Sequence, residues 1–182
     1  MMNKSPWLYF CAAATICLGG IIAPTPARGA ANYYTAGARF HTTHKSFEEY
    51  PFSNSDISWQ AGMEFHEGVG YWQLIVGYAP SIKETTKEDD PIAIDSVITP
   101  QLNLIIQDRG WLAGAGAYAF YIRTDEENDW SKIYWQTMIG YEFQMKAFDI
   151  SIMGIYSFDR WGNISDFRFG DLETSVMIKK KF

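Results

Sequence analysis

Apolar and polar residues alternate with period two along most of this chain, in segments of about ten residues. In the first, Tyr34, Ala36, Ala38 and Phe40 oppose Thr35, Gly37, Arg39 and His41. The second sets Ile57, Trp59, Ala61, Met63 and Phe65 against Ser58, Gln60, Gly62, Glu64 and His66, and the third sets Trp72, Leu74, Val76 and Tyr78 against Tyr71, Gln73, Ile75 and Gly77. A fourth opposes Ile98, Leu102, Leu104 and Ile106 to Thr99, Gln101, Asn103 and Gln107. The fifth, 111 to 123, is blurred by alternating Gly and Ala, with Tyr118, Phe120 and Ile122 sharing a face that reads as outward. In the sixth Ile133, Trp135, Ile139, Tyr141 and Phe143 are opposed by Lys132, Tyr134, Gln136, Gly140 and Glu142. Phe148, Ile150, Ile152, Gly154, Tyr156 and Phe158 form one face of the seventh, and Leu172, Thr174, Val176, Ile178, Lys180 and Phe182 one face of the eighth. Side chains alternate across a strand, so each segment predicts a strand with two chemically distinct sides. The connections alternate too. Those near 44–55, 80–93, 124–131 and 159–170 are long, and those near 66–69, 108–110 and 145–147 are short.

Charge sorts with the faces. Lys180 is the one charged residue on the apolar faces named, and it stands two residues from the chain end. A cation on a lipid-facing position costs about 2 to 4 kcal/mol at mid-membrane and little at the interface. Eight strands is an even number, and alternate short and long connections fit a barrel with short periplasmic turns and longer external loops. The expected fold is therefore all-β, an eight-stranded antiparallel transmembrane β-barrel. A soluble barrel of lipocalin type alternates similarly but turns its apolar face inward. Against it stand the belts of aromatic residues at the strand ends: Phe65, Trp72, Phe143, Phe148 and Phe182 at one, Phe40, Trp59, Tyr78, Phe120, Trp135 and Phe158 at the other. The segment Leu172–Phe182 resembles the closing strand of bacterial outer-membrane barrels. That resemblance implies that Phe182 serves as an insertion signal read by the barrel-insertion machinery.

The amino end changes the picture in one respect. Lys4, the apolar run from Trp7 to Ile22, Pro24, Pro26 and the small residues 29–31 read as a secretory signal peptide over 1–30, leaving 31–182 as the barrel domain. Both cysteines, Cys11 and Cys17, fall in that segment, so thiolate chemistry and disulfides are excluded from the rest. Its removal takes Lys4 and Arg28 and lowers the formal net charge from −6 by two, to −8, which argues against nucleic acid as a partner.

An eight-stranded barrel is narrow enough for side chains to fill. The inward faces supply a lumen charge network of Arg39, Glu64, Arg123, Glu142, Asp149 and Glu173, with Arg39 placed to meet Glu64 on one neighbouring strand and Glu173 on the other. His41 and His44 stand at the lip of the first long loop and His66 at the opposite end, so the three are not expected to converge; no metal site and no cofactor is expected. The acidic run 84–90 reads as a solvated loop.

Ala38-Arg39-Phe40, Trp59 to Gly62 and Gly70 to Ser81 resemble the first strands of lipid A palmitoyltransferases, but where that family has a His and an Asp-Ser pair this chain has Gly37, Pro80 and Ser81. The half from Ile98 to Phe182 is similar in layout to lipid A 3-O-deacylases, including the repeat Gly114 to Ala117 and the segment Gly154 to Gly162. Tyr156-Ser157-Phe158 stands where that family has an outward His-x-Ser, and Glu173 matches its acid without an imidazole to orient. Base and nucleophile two residues apart must share a face, and here that face carries Tyr and Phe. The architecture is similar to OmpX and OmpA-type membrane domains. The expectation is a monomeric, non-enzymatic outer-membrane protein, structural or acting through surface loops, in contact with outer-membrane lipid and lipopolysaccharide. Phe47, Tyr50, Phe52, Trp130 and Trp161 are its candidate loop contacts. The alternative is a lipid A acyl-modifying enzyme with a site rearranged around Ser81, Ser157 or His41.

Overall fold

In the computed structural model the described residues are 31–44, 47, 50–82, 94–124, 128–160 and 167–182. The signal segment 1–30, the run 84–90 and Trp161 lie outside them. The elements are β1 (Ala31–Phe40), β2 (Ile57–Glu67), β3 (Gly70–Ile82), β4 (Ile94–Asp108), β5 (Trp111–Tyr118), β6 (Tyr121–Thr124), β7 (Asn128–Trp130), β8 (Tyr134–Gln144), β9 (Asp149–Phe158) and β10 (Leu172–Lys181). All pairings are antiparallel. The sheet runs β3-β2-β1-β10-β9-β8-β5-β4, and β3 pairs with β4 to close it. It is a closed eight-stranded antiparallel barrel, with β6 and β7 extending two of its strands at the long-loop end.

The two faces separate as the alternation requires. On β3, Tyr71, Gln73 and Ile75 are buried while Trp72, Leu74 and Val76 are exposed, and on β4 Gln101, Asn103 and Ile105 are buried while Leu102 and Leu104 are exposed. Ile139 on β8 is 63% exposed, whereas Glu64, Gln136 and Glu173 are 0% exposed. Apolar side chains outside and polar ones inside invert the order of a soluble domain, which suits an exterior solvated by lipid. The hairpin between β4 and β5 turns on Arg109 and Gly110, with φ of 48° and 89°. Positive φ at both central residues is what a two-residue hairpin loop needs to match the strand twist, and glycine takes the second position without a Cβ penalty. At Gly62 on β2 the need is close approach: a Cβ there would lie 1.9 Å from the backbone oxygen of Leu74 on β3.

The fifth strand departs from expectation. It breaks at Ala119 and Phe120 into β5 and β6, and Tyr118 and Phe120 are buried rather than members of an outer aromatic belt. Trp111 and Ala113 form the exposed phase of β5, which turns Leu112 and Tyr118 inward. Phe120 packs against Phe52 and Tyr134, at centroid distances of 5.5 Å in both cases. Tyr156 and Phe158 have the outward phase of β9 but are also buried; the ring of Phe167, 4.8 Å from Tyr156, lies over that end of the strand.

Two apolar clusters share the interior with the polar groups. Phe47, Phe52, Ala79, Ile82, Val97, Tyr118, Phe120 and Tyr134 fill the long-loop end. Tyr71, Ile105, Leu112, Met138, Met153 and Ile155 pack together nearer the short turns.

A test of the exterior follows. Leu74→Lys, at mid-strand on the exposed phase, is expected to destabilise the protein by roughly 2 to 4 kcal/mol in urea titrations on lipid vesicles. An added lysine near the end of β10, beside Lys180, should cost far less. Equal, negligible costs would mean that the exposed apolar face is not in lipid.

Candidate functional site

The inward residues of β1 and β10 meet where the first and last strands pair, Arg39 opposite Ser175 and Thr35 opposite Lys179. Arg39 Nε donates to Glu173 Oε2 at 2.6 Å, and Nη2 also pairs with that oxygen. The rest of the guanidinium is used as well: Nη1 donates to Gln136 Oε1 at 2.9 Å and to Gln101 Oε1 at 3.4 Å, and Nη2 to Ser157 Oγ at 3.2 Å. The other carboxylate oxygen, Oε1, serves the first long loop. His41 Nδ1 is 2.8 Å away, the Tyr50 hydroxyl donates to it, and His44 Nε2 stands at 3.6 Å, beyond hydrogen-bond range. The second ring nitrogen of His41, Nε2, is 2.9 Å from Ser58 Oγ on β2. Phe52 covers the imidazole in a stacked arrangement, centroids 3.6 Å apart and planes at 7°. His41 and Tyr50 lie beyond the end of β1. Burial lowers the His41 pKa against the pull of the Glu173 carboxylate, and burial, with that carboxylate, pushes the Tyr50 phenol well up and keeps it a donor.

A second cluster sits toward the short turns. Lys179 Nζ on β10 lies 3.0 Å from Glu142 Oε2, 3.1 Å from Glu64 Oε2 and 2.8 Å from the Tyr71 hydroxyl. His66 Nε2 is 2.9 Å from Glu64 Oε2, with its ring stacked on Tyr71 at 4.2 Å. Gln107 donates to Glu142 Oε1. Below these groups a cavity of about 620 Å³ opens at the short-turn mouth, lined by His66, Tyr71, Gln107, Arg109, Glu142 and others.

Amides join the two clusters. Gln73 donates to Glu64 at 2.8 Å, Asn103 to Gln73 at 2.9 Å, and Gln136 to Asn103 at 2.7 Å, while Gln136 accepts from Arg39. One chain of hydrogen bonds thus runs from the lower carboxylates to the upper ion pair. In a low-dielectric interior each such group is costly unless partnered, and here each is.

Of the six residues expected in the charge network, Arg39, Glu64, Glu142 and Glu173 are buried within it. Arg39 pairs with Glu173 as the register suggested, but Glu64 goes to Lys179 instead. Arg123 is exposed on β6, and Asp149 is half-buried at the start of β9, opposite Lys179 in register. Lys179 had a sequence signal, being on the inward phase of the closing strand, but nothing there singled it out from the other cations. The expectation that Glu173 has no imidazole to orient is overturned: His41, just past the end of β1, lies on it, and Tyr50 and Phe52 of the first long loop (loop 1) turn inward over the pair. That fold also buries Phe47 and Phe52 at 5% and 2% exposure, so neither ring faces an external partner. Trp130 is exposed at the base of the β6–β7 extension, opposite Tyr121 in register. Ser157 faces inward, as expected from the outward phase of Tyr156 and Phe158, and bonds to Arg39.

The fold and site thus define a class, a closed eight-stranded antiparallel barrel with a hydrogen-bonded polar network in its lumen. The chain is similar to Ail, the attachment invasion locus protein of Yersinia pestis, solved in complex with the heparin analogue sucrose octasulfate, at 11% identity over 84% of this chain and 97% of that one, with a TM-score of 0.30. No family model and no curated protein sequence matches it.

Because Lys179 serves two buried carboxylates, Lys179→Met should leave both without their cation and destabilise the barrel by roughly 3 to 5 kcal/mol, read as the urea midpoint in vesicles. Adding Glu64→Gln and Glu142→Gln to that variant should recover much of the loss. No recovery would mean that packing, not charge, is what Lys179 contributes.

Proposed function

We propose that this protein is an integral outer-membrane barrel, exported by the signal peptide at 1–30 and inserted through its C-terminal strand, that acts as an envelope component through its external rim. The observation that carries this reading is the inverted burial: Leu74, Val76, Leu102, Leu104 and Ile139 exposed, with Arg39, Glu64, Gln136 and Glu173 enclosed. The hydrogen-bonded side chains that cross the lumen weigh against a solute path through it. The rim offers both ring and charge. Phe169 is 82% exposed, Trp130 and Phe167 are exposed beside it in kind, and Lys132, Arg160 and Arg168 are exposed at the same end. Aromatic side chains with cations suit the boundary between acyl chains and the phosphates of lipopolysaccharide. The chain works as a monomer in this reading, its closed sheet leaving no edge for a second copy.

On the exterior of β9 the positions of a deacylase-type pair hold Tyr156 and Phe158, and both are covered, which weighs against lipid A deacylation at that face.

The protein should fractionate with outer membranes and migrate faster on gels unheated than boiled. Refolded into planar bilayers, it should give no discrete conductance steps. Recovery in the soluble periplasm would overturn the location, and regular steps would overturn the sealed lumen.

A further inference from the structure

Ser58 is 2% exposed and His41 4% exposed, and neither is needed to neutralise Glu173, which Arg39 already does. Their order in space is specific. Ser58 Oγ meets His41 Nε2 at 2.9 Å, and His41 Nδ1 meets Glu173 Oε1 at 2.8 Å. A carboxylate is an acceptor, so the proton on the imidazole belongs at Nδ1, and Nε2 is left to accept from the serine hydroxyl. Arg39 holds Oε2 and so fixes which oxygen His41 receives. These are the relations that define nucleophile, base and orienting acid wherever they recur.

We propose that Ser58, His41 and Glu173 form a hydrolytic centre inside the long-loop end of the barrel, acting on a carboxylic ester with a small apolar acyl group. The acyl preference comes from what adjoins the imidazole. Phe52 stacks on His41 and also belongs to the apolar cluster of Ala79, Ile82, Val97 and Phe120. Phe47 and Phe52 are contributed by a loop, whereas Ala79, Ile82 and Val97 of the same cluster are on barrel strands. Withdrawal of the Phe52 ring uncovers the imidazole and leaves an apolar recess beside it, which an acyl chain can fill.

The chemistry balances with water as the co-reactant. Ser58 Oγ adds to the ester carbonyl carbon while its proton passes to His41 Nε2. The carbon–alkoxy bond then breaks, and that proton leaves with the alcohol. Water adds to the acyl-serine, its proton passing to His41 and then back to Ser58 Oγ as the acid departs. Ser58 and His41 are the catalytic residues, and Glu173 and Arg39 position them. Lowering of the His41 pKa by burial favours the neutral ring that this cycle needs. The site is in the lumen between β1, β2 and β10, and it does not depend on the surface role proposed above.

The test uses the full barrel refolded in detergent, its folding checked by heat-modifiable migration. A fluorophosphonate probe should label Ser58, located by peptide mass spectrometry, and should label Phe52→Ala faster than wild type. Hydrolysis of p-nitrophenyl butyrate should fall to the buffer rate in Ser58→Ala and by about a hundredfold or more in His41→Gln. The wild-type rate should rise with pH as His41 loses its proton, reaching its plateau below the ordinary histidine range. Glu173→Gln, where folded, should lower kcat and shift that profile while KM holds. If folded wild type and Phe52→Ala both remain unlabelled, or if the label falls on another serine, the centre is purely structural and the proposal fails. Either result leaves the fractionation and conductance tests of the surface role unaffected.

Discussion

The ion pair between Arg39 and Glu173 spans the seam at which the first and last strands meet. Every other feature of the upper lumen is arranged around it. One carboxylate oxygen faces the guanidinium, which branches to Gln101, Gln136 and Ser157, and the other receives the imidazole and phenol of loop 1. A buried charge without its partner is far more costly than the pair is stabilising, so this seam closes only in the register that aligns β1 with β10. Loop 1 is held by the same atoms. Its inward fold follows from a carboxylate with one oxygen to spare, together with the aromatic rings that cover it.

The barrel was legible in the sequence because its determinants are local. Alternation names the two faces of a strand one residue at a time, and connection length follows directly from the chain. For β1, β2, β3, β4 and β10 the inward and outward sets read from alternation are those of the folded protein. The fifth strand was not legible in this way. Its Gly and Ala residues carry little hydrophobic contrast, so Tyr118 and Phe120 set the assignment and set it wrongly. Their rings face inward because the loop-1 aromatics meet them there, a long-range contact to which period two is blind.

The candidate site divides along the same line. That Arg39 and Glu173 would meet followed from strand neighbourhood, since closure makes the first and last strands adjacent. That Glu64 would choose Lys179, or that His41 would reach Glu173 and Ser58, depends on where long side chains and a loop come to rest in three dimensions. Alternation places a residue inside the barrel without saying at which height its tip ends. Phe47 and Phe52 show the limit from the other direction: aromatic residues in a long loop look external until the barrel beneath them is known to be narrow enough to be sealed from above.

The amide chain through the lumen has one more implication. Glu64, Gln73, Asn103, Gln136, Arg39, Ser157 and Glu173 belong in turn to β2, β3, β4, β8, β1, β9 and β10. Sliding any one of those strands by a residue would send its link to the lipid side and place an apolar side chain among unpaired polar groups. The network therefore works as a proofreader of assembly: a misaligned sheet can form its backbone bonds, but only the correctly staggered barrel can dehydrate its own interior.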